Sequence, residues 1–139
     1  MKISEIMHEG VASVTPLALV SLAAKTMRDL DIGALPVVDN GRIVGIITDR
    51  DIVVRAIAEG EDPGKLPVRE LMTRKVVCCR ADDEAGSALK AMETAHVRRM
   101  PVLDGGQSPV GMVSLGDVAS AHRPDMTDEL VKAVTAHHA

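Results

Sequence analysis

The 139-residue chain contains no tryptophan, tyrosine or phenylalanine. Its core must be built from Val, Ile, Leu, Ala and Met, and a flat ligand would have to lie against aliphatic side chains, because there is no aromatic platform. Cysteine is scarce. Cys78 and Cys79 are adjacent, a spacing that suits neither a metal site nor a redox C-x-x-C pair. No apolar run approaches the ~20 residues that span a bilayer. The start Met1-Lys2-Ile3-Ser4-Glu5 does not read as a signal peptide, so the cytoplasm is the expected compartment. Positive charge is in deficit, and a net charge of −4 argues against a general nucleic-acid or anionic-membrane surface. What remains is a globular composition, with 46% hydrophobic residues, well away from disordered chains.

What the chain does have is a repeat. Ile3-Ser4-Glu5-Ile6-Met7 is answered by Val68-Arg69-Glu70-Leu71-Met72, and Leu35-Pro36-Val37-Val38-Asp39 by Met100-Pro101-Val102-Leu103-Asp104. Gly45-Ile46-Ile47-Thr48-Asp49-Arg50-Asp51-Ile52 is answered by Gly111-Met112-Val113-Ser114-Leu115-Gly116-Asp117-Val118. The offset is 65 from Met7 to Met72 and from Pro36 to Pro101, and 66 from Gly45 to Gly111 and from Asp51 to Asp117. One residue inserted near Gly105-Gly106 accounts for the step. An ordered repeat of this length predicts two copies of one structural unit, packed about a pseudo-two-fold axis, with clefts in related pairs.

Within the first copy, Ser4 to Met7 forms a helical turn and Val11 to Val14 a short strand. Thr15-Pro16 reads as the N-cap and first position of a helix. Leu19, Leu22, Ala23, Met27 and Leu30 trace one face of that helix, and Gly33 ends it. Leu35 to Val38 and Arg42 to Ile47 are strands joined by the hairpin signal Asp39-Asn40-Gly41. Thr48 opens a second helix, and Glu59-Gly60-Glu61-Asp62-Pro63-Gly64 links the copies. The second copy gives a strand at Lys75 to Cys79, a helix whose inner face carries Ala88, Leu89, Met92 and Ala95, and strands at Met100 to Leu103 and Pro109 to Val113. A closing helix follows from Asp117 to Ala121, and Asp128 to Ala136 is an extra helix. Each copy is thus β-α-β-β-α, a mixed α/β (α+β) fold with small sheets covered by helices. The expected division is residues 1–64, 65–125 and a C-terminal helix or tail at 126–139. The whole forms one module, since either copy alone is near the size at which a private core becomes marginal.

The order of a short helix ending in Met, a strand, a helix, an apolar-Pro-Val strand and Gly-x-x-Thr/Ser-x-x-Asp resembles the cystathionine-β-synthase (CBS) domain, present as a tandem pair from about Ile3 to about Ala121. The chain also resembles small stand-alone bacterial CBS-pair proteins of the hypoxic-response type, which carry a similar Asp-Ile-Gly-Ala-Leu-Pro followed by Thr-Asp-Arg-Asp-Ile-Val. The resemblance implies a sensor that binds an adenosine ligand such as AMP, ADP or ATP in clefts between the repeats, and that associates into flat dimers through its helices.

Thr48-x-x-Asp51 and Ser114-x-x-Asp117 are the sharpest motifs. As local structure each is a helix capping box. In the family this Asp takes the ribose hydroxyls and the Thr or Ser lies near ribose and phosphate. A carboxylate suits a vicinal diol because it accepts two hydrogen bonds, and capping and ligand roles can coexist. His96-Val97-Arg98-Arg99-Met100-Pro101 brings two arginines, whose planar forks suit phosphate oxygens, although a basic run also favours a helix C-terminus. The matching Asp31-Ile32-Gly33-Ala34-Leu35-Pro36 has no base. The family arrangement implies one cleft of Thr48 and Asp51 with Val77, Arg98, Arg99, Met100 and Pro101. It implies another of Ser114 and Asp117 with Ala12, Asp31, Leu35 and Pro36. Unequal sites follow, with the Asp51 cleft the better for a nucleotide.

Competing readings are a structural or stress-associated CBS-pair dimer that binds no nucleotide, and an enzyme. No nucleophile–base pair, metal cluster or P-loop is legible, so no catalytic or metal residues are assigned and no cofactor is expected beyond a regulatory adenine nucleotide. A homodimer and an unidentified protein partner are expected; nucleic acid and membrane are not. Cys78 and Cys79 read as small buried side chains rather than a redox sensor, and His122, His137 and His138 as surface residues.

Overall fold

Asn40 and Gly41 both take positive φ, 53° and 77°, as a two-residue hairpin turn demands, and this is the local feature from which the first sheet grows. The computed structural model describes residues 1–121 and 127–138, with side chains through residue 135. In chain order it has a 3-10 turn at Ile3–Glu5, β1 (His8–Glu9), α1 (Val20–Leu30), β2 (Ala34–Asp39) and β3 (Arg42–Thr48). Next come α2 (Asp49–Asp51), which continues into a π-helical stretch at Ile52–Ile57, and a 3-10 turn at Val68–Glu70. The remainder is β4 (Cys79–Arg80), α3 (Ala85–Ala95), β5 (Arg99–Leu103), β6 (Pro109–Ser114), α4 (Leu115–Ser120) and α5 (Thr127–His138). The mixed helix-and-strand class is as the pattern predicts.

The chain forms two compact units, Ala12–Val76 and Met1–Val11 joined with Val77–Ala139. Space therefore divides the chain differently from the sequence copies, because each copy's opening residues pack with the other copy's sheet. In the second-named unit Ile3 N donates to Asp83 O at 2.9 Å and Ser4 N to Ala81 O at 2.8 Å. In the other, the equivalent Val68 N donates to Ala18 O at 2.7 Å and Arg69 N to Pro16 O at 2.9 Å.

The sheet of the unit containing the N-terminus has the order β1-β6-β5-β4, with β4 parallel to β5 and the other pairs antiparallel. The other unit repeats the plan around β2-β3, with Val14 bridging Val37 and Thr73 bridging Ile46 in the places of β4 and β1. The inserted residue lies in the second hairpin. Asn40 and Gly41 separate β2 from β3, whereas Gly105, Gly106 and Gln107 fill the tip between Asp104 and Ser108, where Asp104 N donates to Ser108 O at 2.9 Å. Gln107 there takes φ 68°.

Each unit has its own aliphatic core. One is centred on Leu35, Val37, Ile47, Val20 and Val68, the other on Met100, Val102, Val113, Leu89 and Ile3, all fully buried. Burial of such side chains stabilises by roughly 1.5–3 kcal/mol each. α5 packs on α3 and α4, where Ala133 is fully buried and Leu130 and Val134 partly so.

Several local expectations are corrected. α1 begins at Val20 with Leu19 as N-cap, not at Thr15-Pro16. The residues from Thr15 instead make a turn, Ala18 N donating to Thr15 O at 3.2 Å, and Leu19 is held extended where it bridges Pro67 and Val20 N donates to Leu66 O. Its C-cap is Asp31 in the left-handed conformation, φ 54°, not Gly33, and His96 plays that part after α3 with φ 59°. The buried face of α1 is Val20, Ala23 and Met27, while Leu19, Leu22 and Leu30 are exposed. The helix is apolar over two adjoining faces, and only the position of the sheet decides which is inside. The predicted strands at Val11–Val14 and Lys75–Cys79 shrink to the Val14 bridge and to Cys79–Arg80.

Candidate functional site

β3 and β6 each end on a hydroxyl residue in extended conformation, followed at once by a helix, and this fixes the two candidate turns. Thr48 N donates to Asp51 Oδ2 at 2.9 Å, and Asp51 N donates to Thr48 Oγ1 at 3.1 Å. Ser114 N donates to Asp117 Oδ2 at 2.9 Å, and Asp117 N to Ser114 Oγ at 3.1 Å. Both are reciprocal capping boxes. Each is also tied to the residue that leads into the partner strand, Asp49 N donating to Gly33 O just before β2 at 2.9 Å and Leu115 N to Arg98 O just before β5 at 2.8 Å. The capping reading of both motifs is therefore realised in the backbone, at equivalent places in the two copies.

The cap uses one carboxylate oxygen, Oδ2, and leaves Oδ1 to differ between the turns. Asp51 Oδ1 faces Arg55 Nη1 at 3.9 Å, past hydrogen-bond reach, and Arg55 Nη1 donates instead to Leu71 O at 2.9 Å. Asp117 Oδ1 is 2.8 Å from His8 Nε2. The aspartate side chains are similarly accessible, 17% for Asp51 and 14% for Asp117, so the difference lies in partners rather than burial. Arg55 was visible in the sequence as an i,i+4 partner of Asp51. His8 was not, being 109 residues from Asp117.

The remaining predicted residues fall into two sets. Ala12, Leu35 and Pro36 lie in the unit of Thr48 and Asp51; Val77, Arg98, Arg99, Met100 and Pro101 lie in that of Ser114 and Asp117. In the first, Leu35 pairs with Ile47 and Pro36 with Ile46, beside Thr48. In the second, Arg99 is the cross-strand partner of Ser114 and Met100 of Val113. Leu35 and Met100 are fully buried core side chains and Pro36 and Pro101 are buried too, so they shape the strands and present no side-chain surface to a ligand. Ala12 and Val77 are half-buried against the two cores. Arg98 is exposed and Arg99 half-buried, which leaves cationic surface beside Ser114; Asp31 is exposed.

Among the described residues Cys79 is the most strongly shifted group. Burial, reinforced by Asp83 and Cys78, pushes the Cys79 thiol up to about 12, and burial raises Cys78 as well. Neither is poised to form a thiolate, in keeping with packing roles. Among the described residues no group of three or more His, Cys, Asp or Glu side chains is placed to hold a metal ion. His122 and the side chains of His137 and His138 lie outside the described residues.

The CBS domain pattern matches residues 3–57 and 68–123. The chain is 37% identical over 117 residues to the CBS domain-containing protein YhcV of Bacillus subtilis, covering 84% of this chain and 82% of that one. It is 37% identical over 132 residues to Hypoxic response protein 1 of Mycobacterium tuberculosis, covering 94% and 91%. A crystal structure of Hypoxic Response Protein I, which holds two coordinated zinc ions, superposes with a TM-score of 0.79 at 35% identity, covering 88% of this chain and 100% of that one. The CBS domain pair of protein MJ0100, solved with 5′-methylthioadenosine and S-adenosyl-L-methionine, superposes with a TM-score of 0.80 at 28% identity, covering 87% and 98%.

Proposed function

The chain belongs to the CBS-domain family, carrying two such domains, and from this premise we propose that it is a regulatory module that binds an adenosine-containing ligand of the AMP, ADP or ATP type. One observation carries the reading. Two equivalent turns each commit one aspartate oxygen to a helix cap and leave the other facing out of it. An outward carboxylate oxygen is an acceptor for the hydroxyls of a ribose. In this reading Asp51 and Asp117 are the ribose acceptors, with Thr48 and Ser114 beside them. Arg98 and Arg99 supply charge for phosphate, and no residue performs catalysis. The complex of MJ0100 with two adenosyl compounds supports the ligand class.

Regulation requires that ligand bind one arrangement of the protein more tightly than another. We place the second arrangement in a homodimer. Leu22 and Leu30 of α1 and Val53, Val54 and Ile57 beyond α2 are exposed, whereas α5 packs on the corresponding helices α3 and α4. The occupant of the exposed faces in this proposal is a second copy of the chain, in the cytoplasm. A monomer mass by light scattering at micromolar concentration would refute the dimer.

A thermal-shift screen with AMP, ADP, ATP, NAD and S-adenosylmethionine tests the ligand. A binder raises the unfolding temperature in proportion to the logarithm of concentration over Kd. No shift with any of them at millimolar concentration would favour the alternative, a structural or stress-associated pair without nucleotide.

A further inference from the structure

The two turns are built alike, yet the strands beside them end in different side chains. Met7-His8 and Met72-Thr73 are equivalent, because His8 pairs with Met112 as Thr73 pairs with Ile46. Glycine fixes the close approach in both places. A Cβ on Gly111 would lie 2.7 Å from His8 O, and one on Gly45 would lie 2.6 Å from Met72 Sδ and 3.0 Å from Thr73 O. The backbone thus sets position 8 beside the strand leading to Ser114, and position 73 beside the strand leading to Thr48. At position 8 a histidine ring reaches the helix that follows, and its Nε2 stands 2.8 Å from Asp117 Oδ1. An ionised carboxylate only accepts, so the ring nitrogen is the donor. At position 73 the shorter threonine stands in its place.

We propose that His8 is a specificity-determining residue that occupies the outward oxygen of Asp117, so that the chain takes its first adenosine ligand at Asp51. This rests on the adenosine reading and deepens it. With Oδ2 in the cap and Oδ1 on His8, both oxygens of Asp117 are engaged, and a ribose hydroxyl must compete with the imidazole. Asp51 has its Oδ2 in the same cap, but Arg55 stays beyond hydrogen-bond distance of Oδ1. The inequality therefore has a source within each unit, separate from Arg98 and Arg99. His8 is also the natural point of control. Its side chain is 79% exposed, so it can swing off Asp117 without opening a core.

The test replaces His8 with the residue that its equivalent position already holds. Titration calorimetry with AMP on the full chain should give a tighter and a weaker site for the wild type, the tighter one lost in Asp51→Asn. In an Asp51→Asn background, where only Asp117 remains, adding His8→Thr should tighten AMP binding roughly two- to fivefold, the loss of one exposed competing hydrogen bond. Circular dichroism should show both variants folded, since His8 lies outside the cores. If the wild type binds AMP but the added His8→Thr changes nothing, the role of His8 is overturned and the adenosine reading stands. If the wild type binds none of AMP, ATP or S-adenosylmethionine, the adenosine reading falls and this inference with it. The pair has its own readout, the ring nitrogen resonances of His8, which should move in Asp117→Asn. Unmoved resonances would overturn the proposal whatever the ligand data show.

Discussion

Asp51 has two jobs in this account, and a pair of substitutions separates them. Its Oδ2 accepts from Thr48 N at 2.9 Å, closing the cap on which α2 starts. Asp51→Ala deletes that acceptor in a partly buried setting. A lost cap costs about 0.5–2 kcal/mol, which for a chain of this size lowers the unfolding temperature by about 2–6 °C. Asp51→Asn keeps an oxygen of the same reach for Thr48 N and loses only the charge, so its stability should stay within about 0.5 kcal/mol of wild type. Binding should order the variants differently. A hydrogen bond to a charged group is worth about 1.5–3 kcal/mol, so both should weaken AMP about 10- to 150-fold. Urea denaturation and titration calorimetry on the same preparations give both numbers. Asparagine binding AMP as tightly as wild type would refute the ribose role. Alanine with undiminished stability would refute the cap. Asp117→Asn should cost less affinity than Asp51→Asn, because His8 already occupies its outward oxygen.

Three further outcomes follow from the geometry. Gly111→Ala drives a Cβ against the His8 carbonyl, which the backbone must move to relieve, and should cost about 1–3 kcal/mol by urea denaturation; an unchanged midpoint would show that β1 has slack. Cys79, its thiol pushed up to about 12, should resist maleimide at neutral pH in a Cys78→Ser variant until the protein is unfolded; prompt labelling of that variant in its native state would contradict the burial of Cys79. Glu93 on α3 is raised by its hydrogen bond to Glu129 on α5 and then by burial, while Glu129 is lowered by the same bond. The Glu93 contribution is full below the ordinary carboxylate range and is lost as pH rises through its raised value. That of Glu129 is present above that range and is lost as pH falls through its lowered value. Docking of α5 should therefore be best in mild acid, where the two acids share one proton, and weaken toward neutral pH. Glu93→Gln should remove that loss, read as hydrogen-exchange protection of the α5 amides after correction for intrinsic rates, and equal pH dependence in both proteins would count against it.

What was legible in the sequence was local. Thr48-x-x-Asp51 and Ser114-x-x-Asp117 are closed within four residues, so the chain could announce them without its tertiary partners. Asn40-Gly41 and the longer Gly105-Gly106-Gln107 tip are likewise decided by backbone preference at the turn. Where the reading of α1 failed, at Thr15-Pro16, at Gly33 and along the Leu19-Leu22-Leu30 face, the deciding contacts came from elsewhere. Hydrogen bonds from residues near 66 delayed the helix start, and the helix had apolar residues enough for two choices of inner face. Leu35 and Met100 were placed near a ligand by the family resemblance, whereas their side chains are fully buried in the two cores, in strands whose consecutive residues are buried on both faces.

By itself, then, the sequence determined that there are two copies of one unit, the family they belong to, and the two capped aspartates. Repetition and short-range hydrogen bonding are properties of the chain in order. Only the tertiary structure decided that each copy's opening residues join the other copy's sheet, that Leu22 and Leu30 face outward, and that His8 stands on Asp117 while Thr73 stands beside the Asp51 turn. Those outcomes depend on which distant backbone supplies the neighbouring strand, and a sheet edge is satisfied by whichever strand the fold brings to it.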